Sequence, residues 1–304
     1  MVALALVCAA TGACSSKGGG AGDKPRVAVS IFPLYDVTRR IAGDRLDVVL
    51  VLPPGKSEHG YDPTPKEIAA LEGTKLGLTV GLDMDVWADT VMKSVGDVRI
   101  VHLGDKVKTM PVTQEHVGDE EAHKGDTTPD NDPDVGAPDP HYWLDPVRME
   151  GVTDQIAAEL TTLDPAGKDA YAKNAAAVKD ALAALDTSIA ARAHAWSKHT
   201  IVTFHGSMSY FSKRYGLTIA SVIEPLAGKE PTPAYLEQVL AAIKSSHADA
   251  LFSEPQFDRG PADTVAREGG IPLGELDPVG GLEGRESYEK LLTWNTDHLE
   301  KLLK

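Results

Sequence analysis

The sequence predicts an α/β protein: two similar parallel-sheet lobes, each a run of βα repeats, joined by one long helix, with a cleft between the lobes. Three observations predict it. Short apolar runs alternate with amphipathic periods through both halves of the 304-residue chain, as in parallel sheets covered by helices on both faces. An Ala-rich stretch with neither Gly nor Pro beyond Gly167 separates the halves. The second half then repeats the order of strand, helix and punctuation found in the first.

Taken in order, residues 1–13 (MVALALVCAATGA) are uncharged and mostly apolar. That run is too short to span a bilayer and fits the apolar region of a secretory signal. No Lys or Arg precedes it, so the true start is expected upstream. Small residues before Cys14, then a Ser/Gly tether over residues 14–25, are similar to a bacterial lipoprotein processing site, which implies a lipidated Cys14. Thr11 departs from the Leu usual there. Cys8 and Cys14 are the only cysteines, so neither a disulfide nor a thiolate ligand is available to the domains.

The N-terminal lobe is expected over 26–163. VAVSIF, LDVVLVL, LGLTVGL and VRIVHLG read as strands, with PLYDVTRRIAG, PKEIAALEG and DVWADTVMKSV as the helices between them. Thr64-Pro65 reads as a helix N-cap followed by Pro at the first helical position, so His59 is held between a Pro-Gly turn and a helix start. Residues 106–140 lack periodicity and read as a mobile acidic loop carrying His116 and His123, with nine acidic residues in 111–140. The linking helix is expected over 164–199, with a break near Asp186-Thr187-Ser188 as the alternative. The C-terminal lobe, 200–304, repeats the pattern: IVTFHGSMSYFSKRYG lies over VAVSIFPLYDVTRRIAG, and each half has a Pro-Thr-Pro helix start.

In open parallel sheets, ligands bind beyond the carboxyl ends of the strands. Four residues with metal-ligand chemistry fall there: His59 after LDVVLVL, His141 in PDPHYWLDP, His205 after IVTF and Asp277 in ELDPVGG. Three imidazoles and one carboxylate suit a tetrahedral zinc ion. The net charge of -15 agrees with a cation as partner and argues against nucleic acid and anionic membrane surfaces. Glu58, Asp145, Glu224 and Glu254 are candidates to receive the second N–H of a ligating imidazole, or to form ordinary salt bridges. His102, His194, His199, His247 and His298 read as structural or solvent-exposed.

SEHGYDPTP, DPHYWLDP, VTFHGSMSYF, FSEPQF and ELDPVGG, in this order around a long helix, resemble the zinc/manganese-type (cluster A-I) solute-binding proteins of bacterial ABC importers, and within them the zinc-uptake subgroup. The resemblance covers residues 25–304. It implies extracytoplasmic capture of a transition-metal ion, delivery to an inner-membrane ABC permease, and His59, His141, His205 and Asp277 as ligands; a monomer is expected. His205 stands where manganese members tend to carry Glu, so the resemblance implies Zn2+ ahead of Mn2+. The chain departs from many zinc members in its His-poor acidic loop, in having no second-lobe disulfide, and in its lipoprotein-like leader, which suggests a chain tethered through Cys14 where other members are freely periplasmic. A surface adhesin on the same frame is a further reading. A zinc hydrolase is the weakest, since HExxH is absent and four protein ligands leave little room for a catalytic water. The linking helix predicts only a small opening of the lobes, and neutral imidazoles predict affinity that falls below about pH 6.5.

Overall fold

A computed structural model of the chain describes residues 24–113, 135–225 and 229–304. Cys14 and the leader, and His116 and His123 of the acidic segment, lie outside the described residues. Two four-stranded sheets, all parallel, carry the two halves. In the first, β1 (Arg26–Val29), β2 (Asp47–Leu50), β3 (Thr74–Thr79) and β4 (Arg99–His102) lie in the order β2-β1-β3-β4. In the second, β5 (Thr200–Thr203), β6 (Thr218–Val222), β7 (Ala250–Ser253) and β8 (Leu273–Glu275) lie in the order β6-β5-β7-β8. The two orders are the same, as expected of duplicated halves. In each sheet the strand order reverses beside the central first strand, and a crevice opens at the carboxyl ends there. Val27, Ala28 and Val29 of β1 are all fully buried, as a strand covered on both faces must be.

Helices α1 (Phe32–Ala42), α2 (Pro65–Ala69) and α3 (Val86–Ser94) serve the first sheet. The helix expected over PKEIAALEG stops after five residues, at Ala69, and reaches β3 through a turn at Gly73, whose φ of 83° needs glycine. Its start is as expected. Thr64 and Glu67 form a reciprocal capping box that fixes where the chain leaves the His59 loop. The segment 106–140, read as structureless, is closed at its described base. Pro111 pairs with Pro138 in an antiparallel bridge, and the Asp139 amide donates to the Met110 carbonyl at 2.8 Å. That stem delivers the chain directly to His141.

Beyond His141, α4 (Pro146–Leu163) leads into the linking helix α5 (Lys168–Ala193) through a short 3-10 turn, Pro165–Gly167. The break considered near Asp186 does not occur. Its 26 residues run unbroken, a length of about 39 Å at about 1.5 Å per residue. Tyr171, Ala175, Val178, Leu182, Leu185, Ile189 and Ala193 recur every three or four positions and are buried. Asp186 lies within the helix and accepts from Arg214 and Tyr215 of α6 (Ser209–Tyr215), so a residue that reads as a breaker instead ties the helix to the second half. α7 (Pro233–Ser246), α8 (Gly260–Gly269) and α9 (Tyr288–Leu303) complete that half.

The halves are not two separate cores. One continuous apolar cluster joins Val29, Trp143, Leu182, Tyr210 and Leu292, while smaller clusters lie under the outer helices of each sheet. The cleft is therefore confined to the carboxyl ends of the strands. Polar bonds cross the join as well: Trp143 Nε1 donates to the Pro278 carbonyl at 2.7 Å, the Tyr288 amide to Asp36 at 3.0 Å and Tyr210 Oη to the Asp139 carbonyl at 2.7 Å.

Candidate metal centre

Three imidazoles converge at that confined cleft. His59 rides the loop between β2 and α2, which Trp87 of α3 fixes by donating its indole N–H to the Glu58 carbonyl at 2.9 Å. His141 follows the stem of the acidic segment, and His205 lies two residues beyond β5. Their Nε2 atoms face one another: His59 to His141 at 3.1 Å and His205 to His141 at 3.4 Å. Glu58 completes the group, with Oε1 3.8 Å from His205 Nε2. One ligand atom from each of Glu58, His59, His141 and His205 lies within 4.8 Å of the other three.

The outer nitrogens decide which tautomers are present. Nδ1 of His141 lies 2.8 Å from Asp139 Oδ1, and Nδ1 of His205 lies 2.8 Å from Glu254 Oε2. With Nδ1–H donated outward, each Nε2 presents a lone pair inward. Two inward lone pairs 3.4 Å apart repel, and a cation between them removes the repulsion. Both oxygens of Glu58 are buried without a hydrogen-bond partner. A buried carboxylate left unbonded is expensive, and an ion is the partner these groups lack. With zinc–ligand distances of about 2.0–2.1 Å, a regular tetrahedron has edges of about 3.3–3.4 Å, close to the nitrogen separations seen.

Burial sets the charge states. It holds the His59 imidazole well below its ordinary pKa and takes that of His205 down to about 4. Burial also raises the carboxyls, Glu58 in direction and Glu254 to about 8. His141 goes the other way. Burial alone would lower it, but the bond to Asp139 and the charge beside it raise it. Two of the three imidazoles are therefore neutral and ready to coordinate in neutral water, and burial favours the protonated form of Glu254.

The expected residues separate in this geometry. His59, His141 and His205 come together. Asp277 does not join them: its Oδ1 accepts from the amides of Val279 and Gly280, both at 2.9 Å, and from Gln256 at 2.7 Å, while Oδ2 faces Arg285 at 3.1 Å. Glu58, expected as a support, stands in the fourth position. Glu254 does support an imidazole. Asp145 does not: it caps α4 by accepting from the Val147 amide, and it pairs with Arg148 and Arg214. Glu224 is buried, with its amide on the Phe204 carbonyl at 2.7 Å, outside the converging group. Asp139, the support of His141, was missed by sequence reasoning; its signal was an Asp two residues before a His in Asp-Pro-His, where an Asx turn brings the carboxylate back.

A cavity of about 780 Å³ opens outward from the three imidazoles, past Asp83, Asp89 and His102. His102 is pinned by Thr79 Oγ1 at 2.8 Å, and His194, His199 and His247 are exposed. His298 stacks on Trp294.

Comparison with known proteins places the chain in a family. The family described as ZnuA, zinc-uptake complex component A, periplasmic, matches residues 27–302. The high-affinity zinc uptake system protein ZnuA of Bacillus subtilis (strain 168) is 29% identical over 305 residues, covering 98% of this chain and 94% of the relative. The iron ABC transporter substrate-binding lipoprotein MtsA of Streptococcus pyogenes serotype M1 is 28% identical over 307 residues, covering 99% and 94%. Among solved structures, a crystal structure of ZnuA superposes with a TM-score of 0.78 at 24% identity, covering 93% of this chain and all of the other, a likeness of fold.

Proposed function

Because the chain belongs to the periplasmic zinc-uptake component A family, matched over residues 27–302, we propose that it captures Zn2+ outside the inner membrane and delivers it to an ABC-type importer. The observation that carries the reading is the meeting of three inward-facing Nε2 atoms with the unpartnered Glu58 carboxylate. Imidazole nitrogen suits borderline-soft zinc better than the harder Mn2+, so three of them with one carboxylate favour zinc. His59, His141, His205 and Glu58 are the proposed ligands; Asp139 and Glu254 orient His141 and His205. Zinc is the cargo here. Four protein ligands leave no position for a catalytic water, and the family is one of transport rather than catalysis.

The proposed setting is extracytoplasmic, with the chain a monomer anchored by lipid on Cys14 and docking to an inner-membrane permease. Lipoprotein relatives support the anchor. Labelling with a lipid precursor, with and without Cys14→Ala, tests it.

The metal assignment is tested by elemental analysis of protein purified without added metal, followed by competitive zinc and manganese titration. One zinc per chain is expected, with a preference for zinc over manganese. His205→Ala is expected to lose at least a hundredfold in zinc affinity; undiminished affinity in a folded variant would overturn the assignment.

A further inference from the structure

Asp277 is a carboxylate parked beside the centre. It follows β8 by two residues and is fully buried. Its backbone is clamped: Asn295 accepts from the Asp277 amide at 2.8 Å and donates to its carbonyl at 2.7 Å. The next residue accepts from Trp143, whose ring lies 5.1 Å from that of His141. Gln256, which donates to Asp277 Oδ1, lies two residues beyond Glu254, the support of His205. The carboxylate thus sits against both ligand-bearing walls without joining the ligands.

Arg285 occupies its remaining face. The 281–285 turn, closed by the Gly281 amide on the Arg285 carbonyl at 2.9 Å, brings the guanidinium in. Its side chain is only 11% exposed, lies 4.1 Å over the Trp294 ring and sets Nη1 3.1 Å from Asp277 Oδ2. Asp277 Oδ2 and Arg285 Nη1 are both buried and neither is in a hydrogen bond. The contact is one of charge rather than geometry. Asp277 is fully buried, and without Arg285 its Oδ2 would be a buried negative charge lacking a cation, which is costly. Arg285 meets that need before the metal arrives.

The fourth position is therefore left to Glu58, and the ion sees three nitrogens and one carboxylate. A second carboxylate would raise the coordination number and the share of hard oxygen, which favours Mn2+ over Zn2+. Resting on the metal-capture reading above, we propose that Arg285, helped by Gln256, is a positioning residue that withholds Asp277 from the ion and so sets the metal preference.

The test uses the whole chain and compares wild type, Arg285→Met, Asp277→Asn, the double variant and Arg285→Lys. Each is titrated competitively with Zn2+ and Mn2+, and the Co2+ complex of each is read by its visible d–d absorption, intense for four-coordinate and weak for six-coordinate cobalt. Arg285→Met is expected to shift the manganese-to-zinc affinity ratio upward by about tenfold or more and to weaken the cobalt absorption. Asp277→Asn should reverse both changes in the double variant, and alone should leave zinc affinity within about threefold. Arg285→Lys keeps the charge and should retain the wild-type cobalt spectrum. An unchanged ratio and spectrum in folded Arg285→Met would overturn the proposal. So would a tenfold zinc loss in Asp277→Asn, because Asp277 would then already be a ligand, and this arm decides the matter even if Arg285→Met does not fold. A wild-type chain that takes up no zinc at its imidazoles defeats metal capture itself; one that binds zinc while the ratio stays fixed defeats only the role of Arg285.

Discussion

Two aspartates near His141 make opposite predictions. Asp139 Oδ1 accepts from both the His141 amide and its Nδ1–H, at 2.9 and 2.8 Å, in a buried position. Asp145, four residues after His141, caps α4 and pairs with two arginines instead. Asp139→Ala removes a hydrogen bond to a charged acceptor, worth about 1.5–3 kcal/mol. At about 1.4 kcal/mol per decade, zinc affinity should fall about 10- to 150-fold, in line with the losses seen when partners of metal-bound histidines are removed. Asp145→Ala should instead cost about 1 kcal/mol of stability through the lost cap and leave affinity within about threefold. The assay is competition against a chromophoric chelator at constant pH, with urea unfolding of the metal-free proteins alongside. The reasoning fails if Asp139→Ala keeps its zinc affinity within twofold while folded, or if Asp145→Ala loses as much affinity as Asp139→Ala.

Other outcomes follow from the same geometry. A Glu254 carboxyl with a pKa of about 8 is protonated about nine times in ten at pH 7, whereas the zinc-loaded site needs it ionised beside His205. Zinc binding should release about one proton or more, and affinity should rise with pH up to about 8 at about tenfold per unit per proton. Calorimetry in buffers of different ionisation enthalpy counts that proton, and a count near zero at pH 7 would refute the charge assignment. Leu182→Ala, in the fully buried stripe of α5, should cost about 2–5 kcal/mol in urea unfolding without altering zinc affinity. Spin labels on α2 and α8 should report only a small distance change between metal-free and loaded protein, because the halves share one core; a rotation of tens of degrees would contradict this.

Much of this arrangement is legible in the sequence because it depends on chain direction. Parallel strands deliver their following residues to one edge, so His205, two residues beyond β5, is aimed at the crevice by chain direction, while His59, nine residues beyond β2, is brought there by its turn and the capped start of α2. The choice between carboxylates depends instead on which local donors capture each one. Asp277 and Asp145 both precede proline, and both are taken by amides two or three residues on: Val279 and Gly280 for one, Val147 for the other. An Asp-Pro ahead of a turn or helix is a capping signal first, and the glycines of Asp-Pro-Val-Gly-Gly, with φ of 79° and 81° at Gly280 and Gly281, announce the turn that takes Asp277. Glu58 has no such local donor, and so keeps both oxygens for a partner from outside the chain. What stays illegible is long-range: that Arg285 folds back onto Asp277, and that Gln256 reaches it from another strand end. Which carboxylate faces the imidazoles thus follows in part from the local turn that holds Asp277 and in part from Arg285 and Gln256, contacts that local sequence does not carry.

The shared core also bears on release. A bound ion would be gripped from α2's loop, from the segment before α4 and from β5, elements that the apolar cluster and the bonds of Trp143, Tyr210 and Tyr288 hold in one body. Opening such a body by rotating its halves would expose apolar surface at about 25 cal/mol per Å². Moving one ligand loop exposes far less. Among the four proposed ligands His59 is the most accessible: its amide makes a long 3.4 Å bond to Ser57, and it is partly buried where the other three are buried. Exchange of zinc with the importer should therefore begin at His59. Shortening that loop's freedom by Gly60→Ala, where a Cβ meets nothing within 4 Å, should slow zinc release to a chelator more than it changes affinity. An equal or faster release rate would place the exit elsewhere.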